Sequence, residues 1–325
     1  MPTVVLRLAA LVGLAVLTAV APHRADAETR SIRYGILGAA ERVEASDGRT
    51  TPDTPFAVAS VGKTFTAVAV LRLVERGMFA VETPAADLLP DEIVQGFDGL
   101  GGITLGHLLT MTSGLPDFYT DDYIEDALDD QAAVQRADVA ASYAMDESRL
   151  FAPGRRFDYS NTNYLLLGMI LEGVTGESYG AVLKAEVFLP AGMEASFVFG
   201  TRALPEDFAR GHPDRNLLRH YYSGAGFGDG GVIASARDVA RFYRALFVEG
   251  RLLSPAMVAL MLTDPLGESY GMGIEIEDGI AGHSGGDLGH ASDVRMDLRT
   301  GDVAVELIAD EDAWPDWPAE IIGLR

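Results

Sequence analysis

Between Ser60 and Arg76 apolar residues recur so densely that they cover most of a helical circumference: Val61, Phe65, Val68, Val70, Leu71, Leu73 and Val74. A helix patterned this way is predicted to be buried, and Gly77 stands where a glycine closes a helix. Tyr164 to Val174 reads as a second helix, ended by Gly176. From Arg237 to Glu249 the pattern is amphipathic. Val239, Phe242, Tyr243, Leu246 and Phe247 follow i, i+3, i+4, i+7, i+8, and Ser235 is placed to cap them. The C-terminal part changes period. Val294, Met296 and Leu298 alternate with polar residues, as do Val303, Val305 and Leu307, with Arg299-Thr300-Gly301-Asp302 between them. That predicts an antiparallel hairpin with one buried face. Residues 32–45 read as one strand ending at Ser46-Asp47-Gly48. Strands at both ends with helices between predict an α+β fold whose sheet draws on both termini.

The first 27 residues read as a leader and are set apart from the fold. After Arg7 comes an apolar run of 14 residues, Leu8 to Ala21, then Pro22, then Ala25-Asp26-Ala27 in the A-x-A form of a cleavage site. The run is short for a spanning helix, which needs about 20 residues. Cleavage after Ala27 and export to the periplasm or medium are expected, with no membrane insertion afterwards; an uncleaved anchor is the alternative.

Composition narrows the function. The chain has 325 residues, 48% of them hydrophobic and 22% charged, which excludes overall disorder. With 25 basic and 48 acidic side chains the net charge is -23, so phosphate backbones are repelled and no nucleic-acid partner is expected. Cysteine is absent, which excludes disulfides, thiol nucleophiles and cysteine–metal sites together. The acidic clusters at Asp121-Asp122, Glu125-Asp126 and Asp129-Asp130 lack the spacing of a calcium loop. His107, His212, His220 and His290 show no zinc-ligand spacing, so neither a metal nor another cofactor is expected. Lys63 and Lys184 are the only lysines among the basic residues. Chemistry that needs an amine able to lose its proton therefore has two candidates.

Ser60-Val61-Gly62-Lys63 places a hydroxyl and an amine at i and i+3 of the predicted buried helix, on one face. Burial and a helix N-terminus favour a neutral amine, which can take a serine proton. The plain alternative is a capping serine and a surface lysine. Tyr159-Ser160-Asn161 opens the second helix, where cap and staple are the plain alternatives. His283-Ser284-Gly285-Gly286 lies on a strand-like segment before the final hairpin, and a turn is its plain alternative.

Taken in order, S-x-x-K, Y-x-N and a K/H-[ST]-G strand resemble the serine β-lactamase and penicillin-binding-protein superfamily. The likeness is to its class C-like branch, with D-alanyl-D-alanine carboxypeptidases and β-lactamase-fold esterases. The flanks PFAVASVGKTFTA, HLLTMTSGLPD, FDYSNTNYLLLG and GGVIASARDVARF resemble the family too, over roughly residues 32–310. The resemblance implies a β-lactamase/transpeptidase-like fold, an antiparallel sheet flanked by helices on both faces. Residues 28–95 and 225–325 would form the sheet part, and 96–224 a mainly helical insert carrying Tyr159. It implies a small-molecule or peptide substrate and an acyl-enzyme on Ser60, with Lys63 and Tyr159 as the coupled base. The backbone N–H groups of Ser60 and Gly286 would form the oxyanion hole, beside Ser284 and Gly285. Asn161 would orient Lys63 and the substrate amide, and His283 would stand where a lysine often binds the substrate carboxylate. A non-catalytic penicillin-binding-like binding or sensor domain of the same fold is the alternative.

Two departures stand out. Met111 replaces the histidine of an H-T-S-G-L loop, and the short ends would leave one edge or face of the sheet thinly covered. Two further motifs lack their context. Gly282-His283-Ser284-Gly285-Gly286 fits G-x-S-x-G, but a nucleophile elbow needs strand, turn and helix. Gly226-Phe227-Gly228-Asp229-Gly230-Gly231 fits G-x-G-x-x-G, but its helix begins too late to face a pyrophosphate. A close glycine-rich approach beside the active site is expected there instead.

Overall fold

The computed structural model describes residues 29–129, 136–211, 227–287, 289–310 and 312–323. The leader, Asp130, His212, His220 and Gly226 lie outside the described residues. Nine strands form two antiparallel sheets among the described residues. They are β1 (Ser31–Leu37), β2 (Ala40–Ala45), β3 (Pro55–Ala57), β4 (Phe197–Val198), β5 (Val232–Ser235), β6 (Glu275–Glu277), β7 (Ile280–Asp287), β8 (His290–Asp297) and β9 (Val303–Ile308).

The large sheet runs β2-β1-β9-β8-β7-β6, so the first strands lie beside the last and both ends of the chain build one sheet. The predicted C-terminal hairpin is β8 and β9, with Met296 opposite Val303. The single strand expected over 32–45 is instead the β1–β2 hairpin, with Leu37 opposite Ala40 across Gly38-Ala39. Its turn carries no Asn or Asp to announce it; Gly38 supplies the required positive φ of +60°. β2 is an exposed edge strand, and Glu41, Arg42 and Glu44 charge it against pairing with another chain.

Strand register sorts the side chains onto two faces. Tyr34, Val305, Val294 and His283 stand opposite one another in turn, on the face covered by the helix Ala236–Phe247. Ser235 Oγ caps that helix by accepting from Asp238 N, and Val239, Phe242, Tyr243 and Leu246 are its buried side. The other face carries Arg33, Glu306, Asp293 and Ser284 in successive register. Arg33 Nε donates to Glu306 Oε1 at 2.7 Å, and Glu306 Oε2 accepts from Trp317 N at 3.1 Å, holding the short helix Trp317–Ile322 over Gly35. This outer face is thus closed by paired charges as much as by apolar cover.

The helix Gly62–Glu75 lies under the inner face and is buried around most of its circumference, including Phe65, Val68 and Leu71. Its buried hydroxyls are satisfied: Thr64 Oγ1 donates to Gly273 O at 2.8 Å and Thr66 Oγ1 to Gly228 O at 2.6 Å. Residues 96–224 contribute the helices Leu105–Leu109, Asp121–Asp129, Ala137–Ser142, Asn161–Thr175 and Tyr179–Leu183, together with β4. β4 joins β3 and β5 in the small sheet that leads the chain into Ser60. The acidic residues of Asp121–Asp129 face solvent, and Lys184 is exposed. No helix among the described residues is long and apolar enough to cross a membrane.

Candidate active site

Strand β3 delivers the chain to a tight turn, Ala59–Val61, that runs straight into the helix Gly62–Glu75. Ala59 takes φ +46°, a left-handed conformation that costs a non-glycine residue about 1–2 kcal/mol. The turn leaves Ser60 partly exposed while Lys63, one turn on, is fully buried. Lys63 Nζ donates to Ser60 Oγ at 3.0 Å, to Asn161 Oδ1 at 2.7 Å and to the Asp229 carbonyl at 2.7 Å. Three acceptors match the three donors of an ammonium group. The first two contacts join the sequence motifs S-x-x-K and Y-x-N.

The third partner comes from the glycine-rich segment. A Cβ on Gly62 would lie 3.1 Å from Gly230 Cα, and one on Gly228 only 2.2 Å from Tyr164 O. The segment therefore threads between the two central helices with no room for a side chain at Gly228 or Gly230, and it turns Asp229 O onto Lys63. Burial pushes the Asp229 carboxyl up to about 6, against the pull of Lys63.

Tyr159 completes the group around the amine, with Lys63 Nζ 5.0 Å from its ring centroid. Burial pushes its phenol above the ordinary range, while the charge of Lys63 and hydrogen bonding to Ser60 and Lys63 pull it down. It therefore holds its proton at neutral pH. Asn161 is fixed by a residue that the sequence motifs did not single out. Asp117 accepts from Asn161 N at 3.1 Å and from Asn161 Nδ2 at 3.0 Å. With its amide nitrogen committed to Asp117, Asn161 has to aim its oxygen at Lys63. Asp117 also accepts from Tyr119 N at 3.1 Å; burial raises its carboxyl, and these N–H groups and Lys63 oppose the rise. Met111, in the histidine position of the loop, takes φ +56° and receives Asn163 Nδ2 on its sulfur at 3.3 Å, a packing role behind the site.

β7 forms the opposite wall. Gly285 has no space for a side chain, since a Cβ would lie 3.0 Å from Ser60 N and 2.9 Å from Val58 O. This close approach brings the strand against the nucleophile turn, and Gly286, next along, faces open space. His283 is 1% exposed. Its Nδ1 meets Ser284 O at 2.5 Å and its Nε2 meets Tyr270 Oη at 3.2 Å, so both ring nitrogens are engaged within the protein. Burial holds it down at about 4, even with Glu275 Oε1 3.7 Å from Nδ1. A neutral ring fits both contacts, with Nδ1–H donating to Ser284 O and Nε2 accepting from Tyr270. Ser284 N and Oγ both donate to Glu275 Oε1, at 3.1 and 2.8 Å. The G-x-S-x-G match lies within continuous strand β7, and β8 follows it, so it is no nucleophile elbow. Of the described histidines outside the site, His107 caps its own helix and His290 meets Ala209 O.

Ser60, Lys63, Tyr159 and Asn161 thus converge from two helices and the segments that lead into them, and Gly285 closes on Ser60 from β7. Asp117, the Asp229 carbonyl and Glu275 are additions of the three-dimensional structure. A faint signal for Asp117 was its place directly after Gly114-Leu115-Pro116, in a flank already noted for its resemblance.

Comparison with known proteins bears on the family and the fold. Penicillin-binding protein 4* of Bacillus subtilis (strain 168) is 31% identical over 281 residues, a match covering 79% of this chain and 60% of that protein. The chain thus spans about three fifths of that relative's length. Penicillin-binding protein 4 of Amycolatopsis lactamdurans is 29% identical over 283 residues, covering 79% of this chain and 72% of the relative. Among solved structures, the penicillin binding protein from Bacillus halodurans superposes with a TM-score of 0.76 at 26% identity, over 91% of this chain and 95% of that one. The D-stereospecific amidohydrolase from Streptomyces sp. gives 0.73 at 27% identity, over 87% and 89%. The Beta-lactamase family profile matches residues 18–313, and with the site geometry in place the chain belongs to the Beta-lactamase family.

Proposed function

We propose that this chain is an exported serine hydrolase that works through an acyl-enzyme on an ester, an amide or a D-amino-acid peptide. The observation that carries the proposal is the 3.0 Å contact between Ser60 Oγ and a fully buried Lys63 Nζ. In the reacting form Lys63 is the free amine. Ser60 gives it the hydroxyl proton and attacks the substrate carbonyl carbon. The N–H groups of Ser60 and Gly286 receive the developing oxyanion. Tyr159, which holds its proton, passes it to the leaving group as the carbon–heteroatom bond breaks and is reprotonated from Lys63. Water then enters by the same route in reverse and frees the acid. The Streptomyces structure, named as a D-stereospecific amidohydrolase, supports an amide-cleaving outcome.

The test is intact mass and turnover with a panel of β-lactams, D-alanyl peptides and short-chain esters, alongside a fluorophosphonate probe. Ser60 should carry the label. Ser60→Ala should abolish it, and Ser284→Ala should leave it. A label on Ser284 would refute the assignment, and acylation without turnover would favour a sensor domain. Export is tested by sequencing the mature N-terminus, which should begin at Glu28.

A further inference from the structure

Among the described residues, only the first part of β7 is paired on its outer edge. β6 covers Ile280 to Gly282, and beyond them the strand runs past Ser60 toward Asp287. Backbone N–H groups of alternate residues point to the same side of a strand. Ser284 N, which donates toward Glu275, therefore shares its edge with Gly286 N. Two strand residues span about 7 Å. When a substrate carbonyl oxygen sits at Gly286 N, a polar substituent one residue away arrives at Ser284. There it meets an N–H, a hydroxyl and the guanidinium of Arg295, which stands opposite Gly282 on β8 and reaches the same Glu275 carboxylate. An N–H, an O–H and a guanidinium in one corner form a receptor for a carboxylate.

That corner is already full. Glu275 Oε1 takes both donors of Ser284, at 3.1 and 2.8 Å, and Glu275 Oε2 takes Arg295 Nη1 at 2.6 Å. Arg295 Nη2 lies 2.7 Å from Asp293 Oδ1, so the one guanidinium is shared between two carboxyl groups. His283, the basic side chain on β7 itself, is neutral and its nitrogens are engaged. Among the described residues, no unmatched positive charge is left there for an incoming anion. The Glu275 side chain is 25% exposed, so it faces the open edge. Burial would push its carboxyl up, but Arg295 and the Ser284 N–H outweigh that and hold it at about 2, ionised throughout the working range.

We infer that Glu275 is a specificity-determining residue. Its carboxylate occupies the anion-receiving corner of Ser284 and Arg295, so substrates with a carboxylate beside the scissile bond are rejected and neutral esters and amides are taken. The inference rests on Ser60 acylation as proposed above and names the substrate class of that site.

The experiment measures acylation of Ser60 by intact mass, using benzylpenicillin and its methyl ester, in wild type, Glu275→Gln and Glu275→Ala. The readout is the ratio of the two rates within each protein. Wild type should favour the ester. Glu275→Ala frees Ser284 and Arg295, and the ratio should move toward the free acid by tenfold or more. Glu275→Gln, whose amide still fills the corner, should move it less. Adding Arg295→Met to Glu275→Ala should cancel the gain. Equal loss of both rates with an unchanged ratio would overturn the inference and leave Glu275 as a brace for β7. If no variant is acylated by either compound, the acyl-enzyme proposal fails, and the corner is judged by calorimetry. N-acetyl-D-alanine should then bind Glu275→Ala at least tenfold tighter than wild type, with its neutral amide unchanged; equal affinities would overturn the inference.

Discussion

Replacing Asp117 by asparagine tests whether the orientation of one amide controls the rate. In the native site Asp117 accepts three N–H groups, and the one on Oδ2 is the side-chain amide of Asn161 at 3.0 Å. An asparagine at 117 can keep its oxygen on the two backbone donors. It must then present an NH2 where Asn161 Nδ2 now points, and two donors face each other. Asn161 relieves this by flipping, which turns its own NH2 toward Lys63 Nζ, now 2.7 Å from its oxygen. Lys63 becomes charged as it takes the Ser60 proton, so the lost bond is one to a charged group, worth about 1.5–3 kcal/mol. At 1.36 kcal/mol per factor of ten, that is a loss of about 10- to 150-fold in acylation rate. The isosteric change leaves packing intact, so the melting temperature should move little. Asp117→Ala, which strands three donors, should lower both. The assay is the rate of Ser60 labelling and of p-nitrophenyl acetate turnover, with thermal melting in parallel. Labelling of Asp117→Asn within twofold of wild type would refute the argument and make Asp117 a brace for the Tyr119 loop only.

Lys63 and Tyr159 should behave as a unit: each single substitution costs orders of magnitude in kcat, and the double costs little more. Additive losses would place them in separate steps. His283 makes stability depend on pH. Its folded value of about 4 lies below the unfolded value of about 6.5, so the unfolded chain takes up a proton that the folded chain refuses. Its contribution is present in full above about pH 6.5 and is lost as the pH falls through 4, up to about 3 kcal/mol. Asp229, raised to about 6, works in the opposite sense, so the measurement is the difference in urea-unfolding stability between wild type and His283→Gln. That difference should shrink between pH 7 and 4; a constant difference would show that the ring takes up its proton normally. Gly228→Ala should prevent or severely weaken folding, because its Cβ would sit 2.2 Å from Tyr164 O, and a near-normal melting curve would show that the helices can part there.

Periodicity located the buried helix, the amphipathic helix and the β8–β9 hairpin because each answers to local spacing. Caps and closing glycines marked their ends, as with Ser235 and Gly176. The β1–β2 turn escaped because Gly38-Ala39 uses backbone freedom rather than a polar turn residue. Motif spacing found Ser60, Lys63, Tyr159 and Asn161, since two residues of each pair share a helix or its entry. Partners recruited across the fold leave no such trace. The Asp229 carbonyl has no side-chain identity to read, and Glu275 alternates with Ile276 and Glu277 as any edge strand would. His283 was visible as a substitution for lysine, but its burial and its contact with Tyr270 depend on tertiary packing that local spacing does not encode.

The division of the lysines between interior and surface has a practical use. One amine is sealed among Ser60, Asn161 and Asp229 with no exposed surface, and the other, Lys184, stands in solvent. Reagents that attack amines will find a single side-chain handle, with the chain terminus as its competitor. A dye or resin coupled through Lys184 would mark every molecule at the same place and leave the nucleophile untouched. Immobilised preparations would be uniformly oriented, and labelling stoichiometry would itself report on folding, rising by one when the interior opens.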